Sequence, residues 1–171
     1  MGLAHGTATE DMDALTFGST FLYRGFNSKK EPVTQIELAQ VLEGFGMNME
    51  EFIDLCIMCG CDYTHTIGGI GPIKAFKLIE DNRNIEACLE KIRESNADSK
   101  KKQKFIIPEK FLYEESRALF KEPDVIRDKP ALEPLMKWNR PDPDALKEFL
   151  ITDKGFHENK VSSGMTKLQN C

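Results

Sequence analysis

The segment from Cys61 to Pro72 constrains the fold more tightly than any other part of the chain. It reads Cys61-Asp62-Tyr63 and then Gly68-Gly69-Ile70-Gly71-Pro72. An apolar helical pattern runs up to Gly60, and a second one, Ile73, Phe76, Leu78 and Ile79, begins after Pro72. Glycine in a turn and proline at the first position of the next helix punctuate a tight interhelical link. Glycines lacking Cβ let a backbone approach another molecule closely. The free N–H groups at the start of the following helix suit an anion such as phosphate. One short stretch thus offers a carboxylate for a metal and a backbone cradle for a phosphate. The plainer alternative is a glycine turn between two packed helices, with Asp62 as a solvated cap.

The rest of the chain sets the frame. Its 171 residues suit one domain or a domain and a half, with 40% hydrophobic and 30% charged residues. No run approaches the roughly 20 apolar residues that span a bilayer. The N-terminus lacks the basic start and apolar block of a secretory signal, and Gly6 breaks the myristoylation pattern that Met1-Gly2 begins. An intracellular protein without membrane contact is expected. Five cysteines without framework spacing argue against a disulfide scaffold. Cys56, Cys59, Cys61 and His65 invite a zinc reading, but Cys56 and Cys59 lie in the apolar run 52–59, where cysteine acts as a small buried hydrophobe. A net charge of −5 and a pI near 5.3 are not the footprint of a protein gripping nucleic acid by charge alone.

Taken in order, Thr7-Ala8 is β-prone and leads into the acidic run Glu10-Asp11-Met12-Asp13. On an extended backbone Asp11 and Asp13 would point the same way. Carboxylates at a strand end hold Mg²⁺, although a solvated acidic loop has the same composition. Phe21–Arg24 reads as another strand. From residue 34 the period turns helical: Thr34 with Glu37 makes a capping-box pattern, and Asn48 with Glu51 repeats it. Helices are expected over about 72–81 and 85–95, the second capped by Asn84. Lys100, Lys101 and Lys102 form a basic break, either a solvated loop or a phosphate-contacting patch. A helix is expected over 109–120, then irregular proline-rich chain over 123–144 anchored by Trp138, then a helix pair over about 143–152 and 157–169. The fold class is α/β, mostly helical in this chain, with strands confined to the first thirty-odd residues.

In combination, Thr9-Glu10-Asp11-Met12-Asp13-x-Leu15-x-Phe17-Gly18, Gly60-x-Asp62-Tyr63 and Gly69-Ile70-Gly71-Pro72-x-x-Ala75 resemble the flap endonucleases, structure-specific 5′ nucleases of the xeroderma pigmentosum group G family. Pro108-Glu109-Lys110-Phe111, Leu119-Phe120-x-Glu122-Pro123, Trp138 and Lys147-x-Phe149-Leu150 extend the likeness, which covers roughly residues 7–169. The resemblance implies the C-terminal part of a PIN-like nuclease domain (1–33), a helix-two-turn-helix domain (34–120), and a proline-rich wrap with a terminal helix pair (121–171).

The family hydrolyses phosphodiester bonds of flapped or nicked duplex DNA in replication and repair, using two divalent ions, usually Mg²⁺. Asp11, Asp13 and Asp62 match three of its metal-binding acids. Thr66 and the carbonyls of Ile67 and Ile70 match ligands of a K⁺ in the helix-two-turn-helix. Gly68, Gly69, Gly71 and Lys74 fall on the duplex-tracking turn, with Arg24 a further DNA-contact candidate. A nuclear location follows by resemblance. The family's first half, with its remaining acids and helical arch, has no counterpart here, and three carboxylates are few for two ions. Gly68 and Ile73 stand where basic side chains are usual, and no sliding-clamp motif is present. The expectation is a nuclease relative that does not cleave alone. The alternative is a non-catalytic duplex-DNA-binding fragment.

Overall fold

The computed structural model describes residues 4–27, 31–98, 105–137 and 139–169. The first elements are β1 (Thr7–Ala8), α1 (Asp13–Thr16), β2 (Phe21–Arg24), β3 (Thr34–Glu37) and α2 (Leu38–Phe45). Then come α3 (Met49–Cys59), α4 (Pro72–Asn82), α5 (Ile85–Ala97) and α6 (Tyr113–Lys121). The last are α7 (Lys129–Leu135), α8 (Pro143–Lys147), a π-helix (Glu148–Asp153) and α9 (Glu158–Gln169). The chain divides into two units, Met1–Val125 and Ile126–Cys171.

In the first unit α3 is buried on two sides. Ile53, Leu55, Ile57 and Met58 face a large cluster completed by Ile79 of α4, Ile85, Cys88 and Ile92 of α5, and Phe120 of α6. Phe52 faces the other way, onto a small cluster with Leu15 of α1 and Leu22 of β2. A run apolar on nearly all sides, Phe52–Cys59, is what a helix sandwiched between two layers requires. Its start is fixed locally by a complete capping box: the Asn48 side chain accepts from the Glu51 N–H, and the Glu51 carboxylate accepts from the Asn48 N–H. The Asn84 side chain likewise caps α5 by accepting from Ala87 N–H at 2.9 Å. Pro72 sits in the first turn of α4.

The sheet has the order β1-β2-β3. β1 runs parallel to β2 (Thr7 opposite Leu22), and β3 is antiparallel to β2 (Leu22 opposite Ile36). Here the sequence expectation needs correction. Thr34–Glu37 is strand, not a capping box, because pairing with Phe21–Arg24 outweighs the local cap pattern. Helix α2 starts after it, with Glu37 in extended conformation at its N-cap. The helix expected from residue 109 begins only at Tyr113. Ile106, outside any strand, bridges to Gly68 instead.

In the second unit the proline-rich stretch is less irregular than expected. Lys129–Leu135 is helical, with Pro130 in the first turn and Pro134 further on. Asp142 caps α8 through Asp144 and Ala145 N–H groups. Between α8 and α9 the chain leaves the π-helix through Gly155 at φ +68°. Among the described residues Val161 is this unit's one fully buried apolar side chain. Trp138 lies outside the described residues.

Candidate metal and phosphate-binding segments

Both candidate segments lie in the first unit and meet at the end of α3. Gly60 closes that helix at φ +119°, a backbone that favours glycine, and a Cβ there would lie 3.0 Å from the Thr66 methyl. Cys61 packs on the large cluster while Asp62 is exposed. The next residue, Tyr63, stands edge-on to Phe17 (6.3 Å between ring centroids) and Phe120 (5.3 Å), and Phe17 lies 4.8 Å from Phe120. Three rings thereby tie the residue after Asp62 to the residue after α1. The Thr64 hydroxyl fixes the following loop by accepting from Leu112 N–H at 2.7 Å.

That tie brings Asp62 into electrostatic reach of α1. Burial lifts the Asp13 carboxyl above its ordinary value, and the charges of Asp11 and Asp62 push the same way. Burial also lifts the Tyr63 phenol, again reinforced by Asp13, Asp62 and Asp11. Asp11 and Asp13 are not on an extended strand, as their spacing suggested. Asp13 opens α1, and the Asp11 carboxylate accepts from its N–H at 3.0 Å, a local turn that outcompetes the strand. Glu10 braces the loop, accepting from Gly25 N–H at 2.7 Å and lying 3.4 Å from Arg24 Nε. Arg24 also donates to the Met12 sulfur at 3.1 Å. It is held within the acidic loop.

Hard carboxylate donors are the right type for Mg²⁺. Among the described residues, however, no three or more His, Cys, Asp or Glu side chains come together as an ion-holding group. Asp11, Asp13 and Asp62 share a neighbourhood without closing a coordination shell. Among the described residues Cys56, Cys59, Cys61 and His65 form no such group either. Burial pushes the Cys56 thiol up to about 11 and the Cys59 thiol in the same direction, as for cysteines packed as hydrophobes.

The glycine turn is built by a two-sided bridge. Gly68 N–H donates to the Ile106 carbonyl at 2.8 Å, and Ile106 N–H donates back at 3.0 Å. A Cβ on Gly68 would lie 3.0 Å from that of Ile106. Gly69 has φ +86°, and Gly71 is the extended N-cap of α4. Ile67 and Ile70 bury their side chains in the large cluster, and Ile70 N–H donates to the Ile67 carbonyl at 3.2 Å. Thr66 is exposed. Lys74 folds back, donating from Nζ to the Gly69 carbonyl at 2.9 Å and lying 5.2 Å from the Phe105 ring centroid. The Gly69 carbonyl is thereby taken by the side chain of the next helix. Ile73 is 78% exposed beside it. Lys100, Lys101 and Lys102 lie outside the described residues.

One constellation escaped the sequence reading. Asp54, 3% exposed inside α3, accepts from Arg117 Nε (2.7 Å) and Nη2 (2.8 Å) and from Ile85 N–H (3.0 Å). Arg117 also reaches Glu86 at 2.8 Å. The knot joins α3, α5 and α6. Its one legible signal was a lone acid within the apolar run 52–59.

The family described as "XPG I-region" matches residues 1–62. Flap endonuclease 1 of Tetrahymena thermophila is 46% identical over 165 residues, which are 96% of this chain and 42% of that protein. Flap endonuclease-1 from Methanococcus jannaschii superposes with a TM-score of 0.72 at 25% identity, over 99% of this chain and 47% of the other. The catalytic core of Rad2 in complex with DNA substrate has the same TM-score at 23% identity, over 95% and 55%, and shares the fold. This chain spans less than half the length of the flap endonuclease relatives it matches, and by sequence it belongs to the flap endonuclease family.

Proposed function

We propose that this chain serves a structure-specific 5′ nuclease acting on flapped or nicked duplex DNA, in replication and repair. Its own share is to hold the duplex and to contribute Asp11, Asp13 and Asp62 to a Mg²⁺ site. The observation that carries the reading is the Phe17–Tyr63–Phe120 tie, which sets Asp62 near the α1 acids at one end of the segment whose other end is the glycine turn. A carboxylate group and a phosphate cradle on one short segment suit a protein that positions a backbone beside a hydrolytic centre. Divalent ions held by such acids supply an activated water and neutralise the displaced oxygen. Because the three acids do not converge here, no cleavage step is assigned to this chain alone.

What its own residues do is position. Gly69 and Gly71 keep the turn open to a phosphate, and the first N–H groups of α4, which a helix leaves without intrahelical acceptors, would donate to it. Lys74 provides the adjacent charge, and Arg24, Lys100, Lys101 and Lys102 are further DNA contacts in this reading. The turn carbonyls, with Thr66, Ile67 and Ile70 as ligands, would hold K⁺. Residues 1–33 then act as the nuclease side, 34–120 as the duplex-holding side and 121–171 as a terminal addition, and the site of action is nuclear. That the Rad2 core is described with DNA substrate supports DNA as the partner.

A purified chain, a fluorescent 5′-flap duplex and Mg²⁺ test it. Salt-sensitive duplex binding, indifferent to base order, without cleavage at protein excess, is expected. Cleavage abolished by Asp62→Ala would show that the chain suffices as an enzyme. Absence of duplex binding at low salt would remove the positioning role.

A further inference from the structure

Among the described residues of the first unit, the two most exposed large apolar side chains both stand at the glycine turn: Ile73 at 78% and Ile106 at 70%. Neither packs the core. On α4, Ala75 and Ile79 are buried, while Ile73 shares its face with exposed Lys77 and Glu80, one and two turns on. Around Ile106 the extended chain alternates. Phe105 and Ile107 pack on the large cluster, and Ile106 points the other way.

Both side chains belong to the turn itself. Pro72 has no N–H, so the first backbone donor of α4 is that of Ile73. A Cβ on Gly68 would lie 3.0 Å from the Ile106 Cβ and 3.6 Å from its Cγ1 and Cδ1. The bare Gly68 backbone thus lets Ile106 lie directly across the turn. Lys74, next to Ile73, lies over the ring of Phe105, next to Ile106, so the start of α4 and the bridged segment are neighbours. A phosphate at the turn would have two isoleucine side chains close by. Leaving them in water has a cost that an apolar partner would remove.

We propose that Ile73 and Ile106 are specificity-determining residues of the glycine turn, which close on the deoxyribose next to the bound phosphate and reject ribose. The inference rests on the phosphate-holding role of the turn and gives that turn a substrate class, a backbone without 2′-hydroxyls. Its physical ground is desolvation. The C2′ methylene of deoxyribose is covered by an isoleucine without loss of any hydrogen bond. Ribose places there a hydroxyl, both donor and acceptor, which would lose water and gain no partner from either side chain. Lys74 and the backbone donors meet the phosphate, which both backbones share, and cannot make this choice.

The test measures binding of the full chain, by fluorescence anisotropy over a salt series, to a DNA duplex and to the RNA duplex of the same sequence. The wild-type chain is expected to bind DNA about tenfold tighter. Ile73→Ala with Ile106→Ala should weaken DNA binding by about tenfold and change RNA binding by less than about twofold, erasing the preference. The salt slope of that variant should be unchanged, because no charge is lost, whereas Lys74→Ala should lower the slope by about one. Ile73→Val with Ile106→Val should retain the preference, and the thermal midpoint should stay at the wild-type value in both double variants. A DNA preference that survives the alanine variant would overturn the proposal, by assigning it to duplex shape. Equal weakening of DNA and RNA binding, or equal binding of the two by the wild-type chain, would also overturn it. Each of these outcomes leaves duplex holding at the turn intact. If the wild-type chain binds neither duplex at low salt, the phosphate-holding role itself fails and takes this inference with it.

Discussion

The two apolar clusters that share α3 are unequal supports. On one side, buried side chains from α3, α4, α5 and α6 lock together, and the glycine turn rests on them through Ile67 and Ile70. On the other, Leu15, Leu22 and Phe52 are the fully buried members, under strands of two and four residues. The glycine turn thus stands on a deep core, and Asp11 and Asp13 lie beside a shallow one. Helices close their backbone bonds internally, whereas strands need neighbours, so the helical side is self-sufficient to a degree the sheet side is not.

The largest expected effect tests whether the deep side carries the whole unit. Asp54→Ala would leave the half-buried Arg117 with Glu86 as its one remaining carboxylate of the knot and Ile85 N–H without its acceptor, costing about 3–4 kcal/mol. Denaturant midpoints measure this, and a loss common to probes in β2 and α5 would show that the shallow side has no stability of its own. Leu22→Ala is expected to cost about 2–4 kcal/mol, with amide protection lost in β2 and β3 but retained in α4 and α5. Equal loss in both would erase the contrast.

Gly68→Ala should cost about 1–3 kcal/mol, because it approaches the Ile106 Cβ, which moves only with the backbone that the Gly68–Ile106 bridge holds. Duplex affinity should fall along with the Gly68–Ile106 bridge. Asp13→Asn should stabilise the fold slightly in chelator at neutral pH, by under about 1 kcal/mol after solvent screening and read as a raised thermal midpoint, since it removes a part-buried charge and its repulsion with Asp11 and Asp62.

Acid separates the two sides further. Hydrogen bonding to Arg117 holds Glu86 below its ordinary carboxylate value. Its contribution is present above the unfolded pKa of 4.5 and is lost as pH falls through the lower folded value. Asp13 is raised, so its folding penalty is absent below 3.8, where both states are protonated, and complete at neutral pH. Lowering pH therefore loosens the Arg117 knot while relaxing the acidic loop. Glu86→Gln should flatten the acid limb of stability against pH, measured by denaturant titration from about pH 6 to about pH 3.

What the sequence disclosed was whatever is decided within a few residues. Asn48–Glu51, Asn84 and Asp142–Pro143 start helices where their patterns place them, because each cap is satisfied by its own first turn. Thr34–Glu37 carries the same kind of pattern and became strand, since its partner in β2 lies a dozen residues upstream. The nearness of Asp62 to Asp13 rests on three rings from α1, the post-α3 loop and α6, which no local period could reveal. Family resemblance named those acids without their geometry. The Asp54–Arg117 pair, 63 residues apart in sequence, was invisible for the same reason.

The lysine already seated on the Gly69 carbonyl alters what an incoming phosphate would encounter. A free ammonium would first shed a full water shell. Here part of that shell has been replaced by backbone, so the charge is oriented before the ligand arrives. A phosphate would exchange one oxygen partner for another, a swap with little net enthalpy. Association at the turn should then be driven by release of counter-ions from the nucleic acid and be nearly independent of temperature.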